Sequence, residues 1–221
     1  MIHARKHIYE GLVALFITTL IVSNIASVKI VQTGPLVFDA GTILFPLAYI
    51  IGGMITEIYG FRKMRSILYI GIGMLLLTTA TFWSVGLMPA AADWPNQPAY
   101  DAILGVVWRI VAASIVAIFV GEFINGFILG KLKVRFKGRL LWHRIIGSSA
   151  VGSYVDTVVF SVIAFGGTMP TSALLSLIFT VYAIKIGTEI LLSPLTMRAI
   201  LAIKQTDKTD VYEDPKLSLT D

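Results

Sequence analysis

Cysteine is absent from all 221 residues, which excludes a disulfide framework, a thiolate metal site and a dithiol redox motif. Histidine occurs three times, as His3, His7 and His143, each beside basic residues and without ligand spacing, so no metal site is expected. Charge is also scarce: 14% of residues are charged, against about a quarter in a soluble domain. There is no G-x-x-x-x-G-K-[ST] phosphate loop and no G-x-G-x-x-G fingerprint, so the chain is not expected to bind a nucleotide or cofactor in either familiar way. The run Gly147-Ser148-Ser149-Ala150 offers a serine inside an apolar stretch, but no histidine lies in a later span to act as its base, so the chain is not expected to be an enzyme.

What remains is 56% hydrophobic, with a mean hydropathy of +0.82. That excludes an ordinary soluble globule and predicts an all-α integral membrane protein. Apolar runs near 11–31, 40–60, 66–88, 103–130, 145–166 and 171–202 are each long enough to cross a hydrocarbon core of about 30 Å. They predict a six-transmembrane-helix bundle over 1–204, followed by a polar tail, 205–221, that reads as disordered. Pro46 and Pro194 are expected to kink the second and sixth spans. A secretory signal is the weaker reading of the first run, because its apolar stretch reaches full spanning length.

Lys and Arg placement sets the orientation. Arg5 and Lys6, Arg62, Lys63 and Arg65, the cluster from Lys131 to Arg144, and Lys204, Lys208 and Lys216 all fall on one side; the other has only Lys29. Both termini are therefore expected in the cytoplasm of a cell whose inner membrane the chain spans. The loop from Pro89 to Asp101, which has two acids and no base, is expected outside. The same rule accounts for the net charge of +5, so the bilayer, and not nucleic acid, is the expected partner.

Ionisable groups within spans are costly and usually face a protein interior or a cavity. Glu57, Arg109, Glu122, Asp156, Lys185 and Glu189 qualify, and Asn24 joins them as an uncharged candidate. Helical spacing puts Glu122 with Asn125, and Lys185 with Glu189, on shared faces. Acids outnumber bases, so either a carboxyl is protonated or something cationic binds. Lys185 and Glu189 could instead form an intrahelical pair, Glu57 could be solvated near headgroups, and Arg109 could snorkel outward. Asp156 has no basic neighbour on its own helix and must find a partner on another. Small residues every fourth position, Ala113-Ala117-Gly121 and Ser148-Gly152, predict close helix packing and permit a homodimer. Phe45, Tyr49, Tyr59, Tyr154, Phe160 and Tyr182 are expected mostly in core or lipid contacts, with one or two available to stack on a planar ligand.

Several segments in order carry a family resemblance: Ser23-Asn24, Phe45-Pro46-Leu47, Thr56-Glu57-Ile58-Tyr59-Gly60, Arg109 with Ser114 and Gly121, Asp156-Thr157, Tyr182 with Lys185, and Pro194. Together they resemble the vitamin uptake transporter family, over roughly Ser23 to Pro194. The resemblance implies six helices, cytoplasmic termini and uptake of queuosine precursors, 7-deazaguanine bases such as the 7-cyano and 7-aminomethyl forms. It implies a place in or around the substrate cavity for Asn24, Glu57, Arg109, Asp156 and Lys185. The chain departs from the family pattern at Gly53, Glu122 and Asn125, where Asp, Gln and Asp are common.

The expected function is therefore import of a small planar base by alternating access, coupled to an ion or proton. Asn24, Glu122, Asn125, Asp156 and Lys185 are expected to bind substrate, with Glu57, Arg109 and Glu189 in gating or support. A binding component that needs a separate ATPase module is a rival, weakened by the lack of an Ala-x-x-x-Ala docking pattern in the first span. A structural membrane protein without substrate is a second rival, and buried charge is what it explains worst.

Overall fold

In the computed structural model, residues 2–34 and 36–215 are described, with side chains in the first helix from His7 onward. The basic residues Arg5 and Lys6, His3, Lys216 and the end of the tail, 216–221, lie outside the described side chains.

Seven helices and one small hairpin make up the described residues. The order is α1 (Ile2–Ala26), β1 (Ile30–Thr33), β2 (Leu36–Asp39), a 3-10 turn (Ala40–Ile43), α2 (Phe45–Tyr59), α3 (Phe61–Gly86), α4 (Gln97–Leu104), α5 (Val107–Arg135), α6 (Leu141–Phe165) and α7 (Thr171–Asp207). Five stretches, His7–Ala26, Phe61–Gly86, Gln97–Arg135, Leu141–Phe165 and Thr171–Asp207, are long and apolar enough to cross a membrane, and α2 is a shorter apolar helix. The chain is a multi-pass membrane protein.

The second expected span differs most from its prediction. Only its 45–59 part is α-helical, and at 1.5 Å per residue that is about 22 Å, short of the ~30 Å core. Lipid cannot satisfy exposed backbone, so a short helix has to be sheathed by protein. Accordingly, α2 is buried from end to end except at Leu47. Residues 30–39, rich in β-branched side chains, form an antiparallel hairpin in the register Ile30↔Asp39 to Thr33↔Leu36. Asp39, buried at the hairpin's end, accepts the hydroxyls of Ser27 (2.6 Å) and Thr42 (2.8 Å), and so ties hairpin and 3-10 turn to α1.

Neither proline interrupts a helix. Pro46 sits in the first turn of α2, where its missing N–H would have had no helical partner, so no kink is required. Pro194 lies inside α7, which continues to Asp207; at about 55 Å the helix outruns the core by several turns. The tail also departs from expectation over its described part. Residues 208–215 lie against the ends of α2, α3 and α5, because Asp210, Glu213 and Asp214 find basic or N–H partners there.

The apolar core collects Phe16 and Leu20 of α1, Ile51, Ile55 and Ile58 of α2, and Met64, Ile67, Leu68 and Leu75 of α3, all at most 2% exposed. Between α5 and α6 the contact is closer. A Cβ on Gly121 would stand 2.5 Å from the Asp156 Cβ and 2.6 Å from the Tyr49 hydroxyl, and one on Gly152 would stand 2.6 Å from the Gly121 carbonyl oxygen. In lipid, where apolar tails compete equally for apolar side chains, such backbone-to-backbone approach is what holds helices together.

Candidate functional site

The α5–α6 crossing places charge at mid-bundle. Asp156 lies on the buried stripe of α6 that runs Ser149, Gly152, Ser153, Asp156, Thr157, and its carboxylate accepts a hydrogen bond from Lys185 Nζ of α7 at 2.5 Å. Both side chains are at most 5% exposed. The Lys185 ammonium also stands 5.0 Å from the Phe45 ring centroid and 5.8 Å from that of Tyr49, both on α2. Tyr49 donates its hydroxyl to the Gly152 carbonyl oxygen at 3.3 Å. Thus α2, α5, α6 and α7 meet around one ion pair.

Two further carboxyl groups join it. Glu122 of α5 lies near enough to Asp156, Glu189 and Lys185 to feel their charges, and its carboxylate stands over Gly52 of α2, 2.8 Å from where a Cβ would be. Ser149 brings Asn125 and Glu189 together: its hydroxyl is 3.5 Å from Asn125 Oδ1 and within hydrogen-bonding reach of Glu189. The cluster holds three carboxyl groups and one ammonium, all nearly buried. One oxygen each of Glu122 and Glu189 has no hydrogen-bond partner among the described residues, nor do the hydroxyls of Ser114, Ser153, Thr157 and Ser161. A buried acceptor or hydroxyl left so is unfavourable by about 1–3 kcal/mol unless something else supplies the bond. The site can therefore take a ligand that presents N–H donors to carboxylates, a carbonyl to Lys185, and a flat face to Phe45 and Tyr49.

Other expected residues make bonds of their own. Asn24 is buried in α1, donates its amide to the Leu20 carbonyl oxygen at 2.8 Å, and keeps Oδ1 unpartnered. The Arg109 guanidinium donates to the carbonyl oxygens of Ile163 (3.3 Å) and Gly166 (2.8 Å), closing the C-terminal end of α6. Lys185 pairs with Asp156, not with Glu189 one turn away.

Glu57 belongs to a second centre. It is fully buried, neither solvated nor near Asp156. Arg144 grips both its oxygens (2.6 and 3.2 Å), Lys204 reaches it at 2.7 Å and Lys133 at 3.7 Å. Asp210 completes the network at 2.6 Å from Lys133 and 2.9 Å from Lys204. Burial alone would raise the Asp210 carboxyl, but hydrogen bonds and charge from the two lysines outweigh it and hold the group below the usual aspartate range.

Sequence reading missed the burial of Lys133 and Arg144, which it assigned to a basic cluster on the cytoplasmic side. Helical phase carries the signal: Glu122, Gly126, Leu129 and Lys133 follow one face of α5, and Arg144, Ser148, Gly152 and Asp156 one face of α6. Among the described residues, no group of three or more His, Cys, Asp or Glu is placed to hold a metal ion.

Comparison with known proteins agrees with this membrane architecture. No solved structure matches the chain. A "Probable queuosine precursor transporter" of Bacillus subtilis (strain 168) is 26% identical over 188 residues, which cover 85% of this chain and 82% of that protein. Residues 39–199, which include α2, α5, α6 and most of α7, match the family described as "Putative vitamin uptake transporter". The chain belongs to the vitamin uptake transporter family.

Proposed function

We propose that this protein imports a queuosine precursor, a 7-deazaguanine base such as the 7-cyano or 7-aminomethyl form, across the inner membrane by alternating access around the central charged cluster. The observation that carries the reading is the Lys185–Asp156 pair, buried with Glu122 and Glu189 under the rings of Phe45 and Tyr49. A guanine-like edge offers adjacent N–H donors that a carboxylate accepts in parallel, and its carbonyl calls for a donor such as Lys185. On this reading Asp156 and Glu122 take the donor edge, Lys185 moves between Asp156 and the base carbonyl, and Asn125 positions Glu122.

Burial of the pair supports alternating access, since no base can touch groups at most 5% exposed unless helices part. The surplus of carboxyl groups supports coupling to a proton or another cation, which would neutralise part of the cluster as the base arrives. The basic end of the bundle faces the cytoplasm in this scheme.

Uptake of labelled 7-cyano- and 7-aminomethyl-7-deazaguanine by cells lacking both precursor synthesis and import tests the reading. Cells carrying this chain are expected to accumulate label, and cells carrying Asp156→Asn are not. Absence of uptake with the unaltered chain overturns the substrate; equal uptake by both overturns the site.

A further inference from the structure

The described C-terminal segment doubles back over the basic end of the bundle. After Lys208, whose φ of 48° turns the chain out of α7, Val211 N–H donates to the Ile58 carbonyl oxygen at 3.1 Å, and Glu213 accepts the Arg62 N–H at 3.1 Å. Asp214 pairs with Lys131 at 2.6 Å. The segment thus binds the α2–α3 junction on one side and the end of α5 on the other. Pro215 packs closely on α5 at Gly130, where a Cβ would stand 3.0 Å from the proline ring.

Lys133 is the pin. Its ammonium has three N–H donors, and three acceptors take them: the Glu57 carbonyl oxygen at 2.5 Å, Asp210 at 2.6 Å and the Val211 carbonyl oxygen at 2.7 Å. The Tyr212 ring lies 4.6 Å away. Two of the three acceptors belong to the C-terminal segment, so lifting it strips a buried ammonium of most of its hydrogen bonds. A lifted segment would send Lys133 to water, so the contact favours two arrangements, engaged and dry or released and wet. Glu57 keeps Arg144 and Lys204 in either state.

We propose that residues 208–215 form the inner gate of the transporter, with Lys133 as the residue that positions it closed. This rests on the transport reading above. Arg144, which shares Glu57 with Lys133 and Lys204, lies 12 residues from Asp156 on α6, about 18 Å along the helix axis. Ser148 and Gly152 occupy the same face in between. On this proposal, a base leaving the central cluster toward the basic end passes the segment.

Two experiments on the 221-residue chain, whose lack of cysteine gives a clean background, test the gate. In the first, Ser148→Cys reports access from the basic end to a membrane-impermeant maleimide, with and without Asp210→Asn and Asp214→Asn together. Labelling is expected to rise about fivefold or more when the pins are removed; unchanged labelling overturns the gate, whether or not any base is transported. In the second, Lys131→Cys with Asp214→Cys is bridged by a short bis-thiosulfonate and then reduced. Uptake is expected to fall about tenfold when bridged and to return on reduction, whereas uptake indifferent to the bridge overturns the gate. A chain that carries no base even before bridging counts against the transport reading, and the labelling experiment still decides the gate.

Discussion

Asp156 of α6 and Lys185 of α7 share a hydrogen bond of 2.5 Å with no other basic side chain in ion-pairing contact with that carboxylate among the described residues. Two helices that are otherwise apolar along most of their length are joined by a single charge pair. Removing one partner leaves the other buried and unpaired, at a penalty of about 3–5 kcal/mol. Asp156→Asn is expected to lower the thermal midpoint in detergent and to abolish base binding. Asp156→Asn combined with Lys185→Met is expected to recover most of the midpoint but none of the binding, measured by thermal shift and by equilibrium binding of labelled base.

Opposite charge balances make the two buried centres respond oppositely to loss of a carboxylate. Glu57→Gln leaves Arg144, Lys133 and Lys204 facing Asp210 alone, so it is expected to destabilise by about 3 kcal/mol. Glu122→Gln removes a negative charge from a cluster with three acids and one base, so its midpoint is expected to hold or rise while base affinity changes. Denaturation midpoints of the two variants side by side check the contrast.

The tightest helix contact gives a steric prediction. Gly152→Ala sets a methyl 2.6 Å from the Gly121 carbonyl oxygen, which is backbone and cannot swing aside, so a loss of about 1–3 kcal/mol is expected. Gly187→Ala on α7 meets nothing within 4 Å, and there the better helix propensity of alanine should be neutral to stabilising by up to about 1 kcal/mol. Thermal midpoints of the two variants should therefore move in opposite directions or differ by several degrees.

Arg109 is expected to separate stability from binding. Arg109→Gln loses charged hydrogen bonds to Ile163 and Gly166 at the end of α6, worth about 1–3 kcal/mol together, while the cluster around Asp156 is untouched. A lower midpoint with unchanged Kd for the base is the expected result; a changed Kd places Arg109 in the binding site.

Acid should loosen the C-terminal segment only at the bottom of the pH range. Asp210 is held below its unfolded value of about 3.9, so its contribution is fully present above that pH and fades as pH falls through the lower folded value. Protection of the Val211 amide, bonded to Ile58, is expected to stay constant from neutral pH to about 5 in rate-corrected hydrogen exchange. Loss of protection between pH 7 and 6 would contradict it.

Most of the helical layout was legible in the sequence because membrane length and apolarity are one-dimensional signals. The runs from 66, 103, 145 and 171 correspond to α3, α5, α6 and α7 with shifted ends. The ends of the first two runs misled, at 30–31 and 40–43, because apolarity alone does not separate a span from the edge of a hairpin or a 3-10 turn; the β-branched Ile30-Val31 and Thr33 carried that distinction. The need for a cross-helix partner to Asp156 was readable from its lone charge, but the choice of Lys185 over any other base was not. Lys133 and Arg144 were masked by the strong charge bias of their loop, which explains basic residues without asking which ones turn inward. Asp210 lies in a polar tail whose composition alone reads as disordered, and only its partners on α5 and α7 fix it.

One residue, Gly60, separates α2 from α3, and its φ of 94° with ψ of 158° is a conformation side-chain-bearing residues rarely adopt. With no loop between them, Gly60 is where the angle between the two helices can change. A tilt of α2 that uncovers Phe45 and Tyr49 is therefore expected to open or close that angle, and the distance between spin labels at the far ends of the two helices would report it.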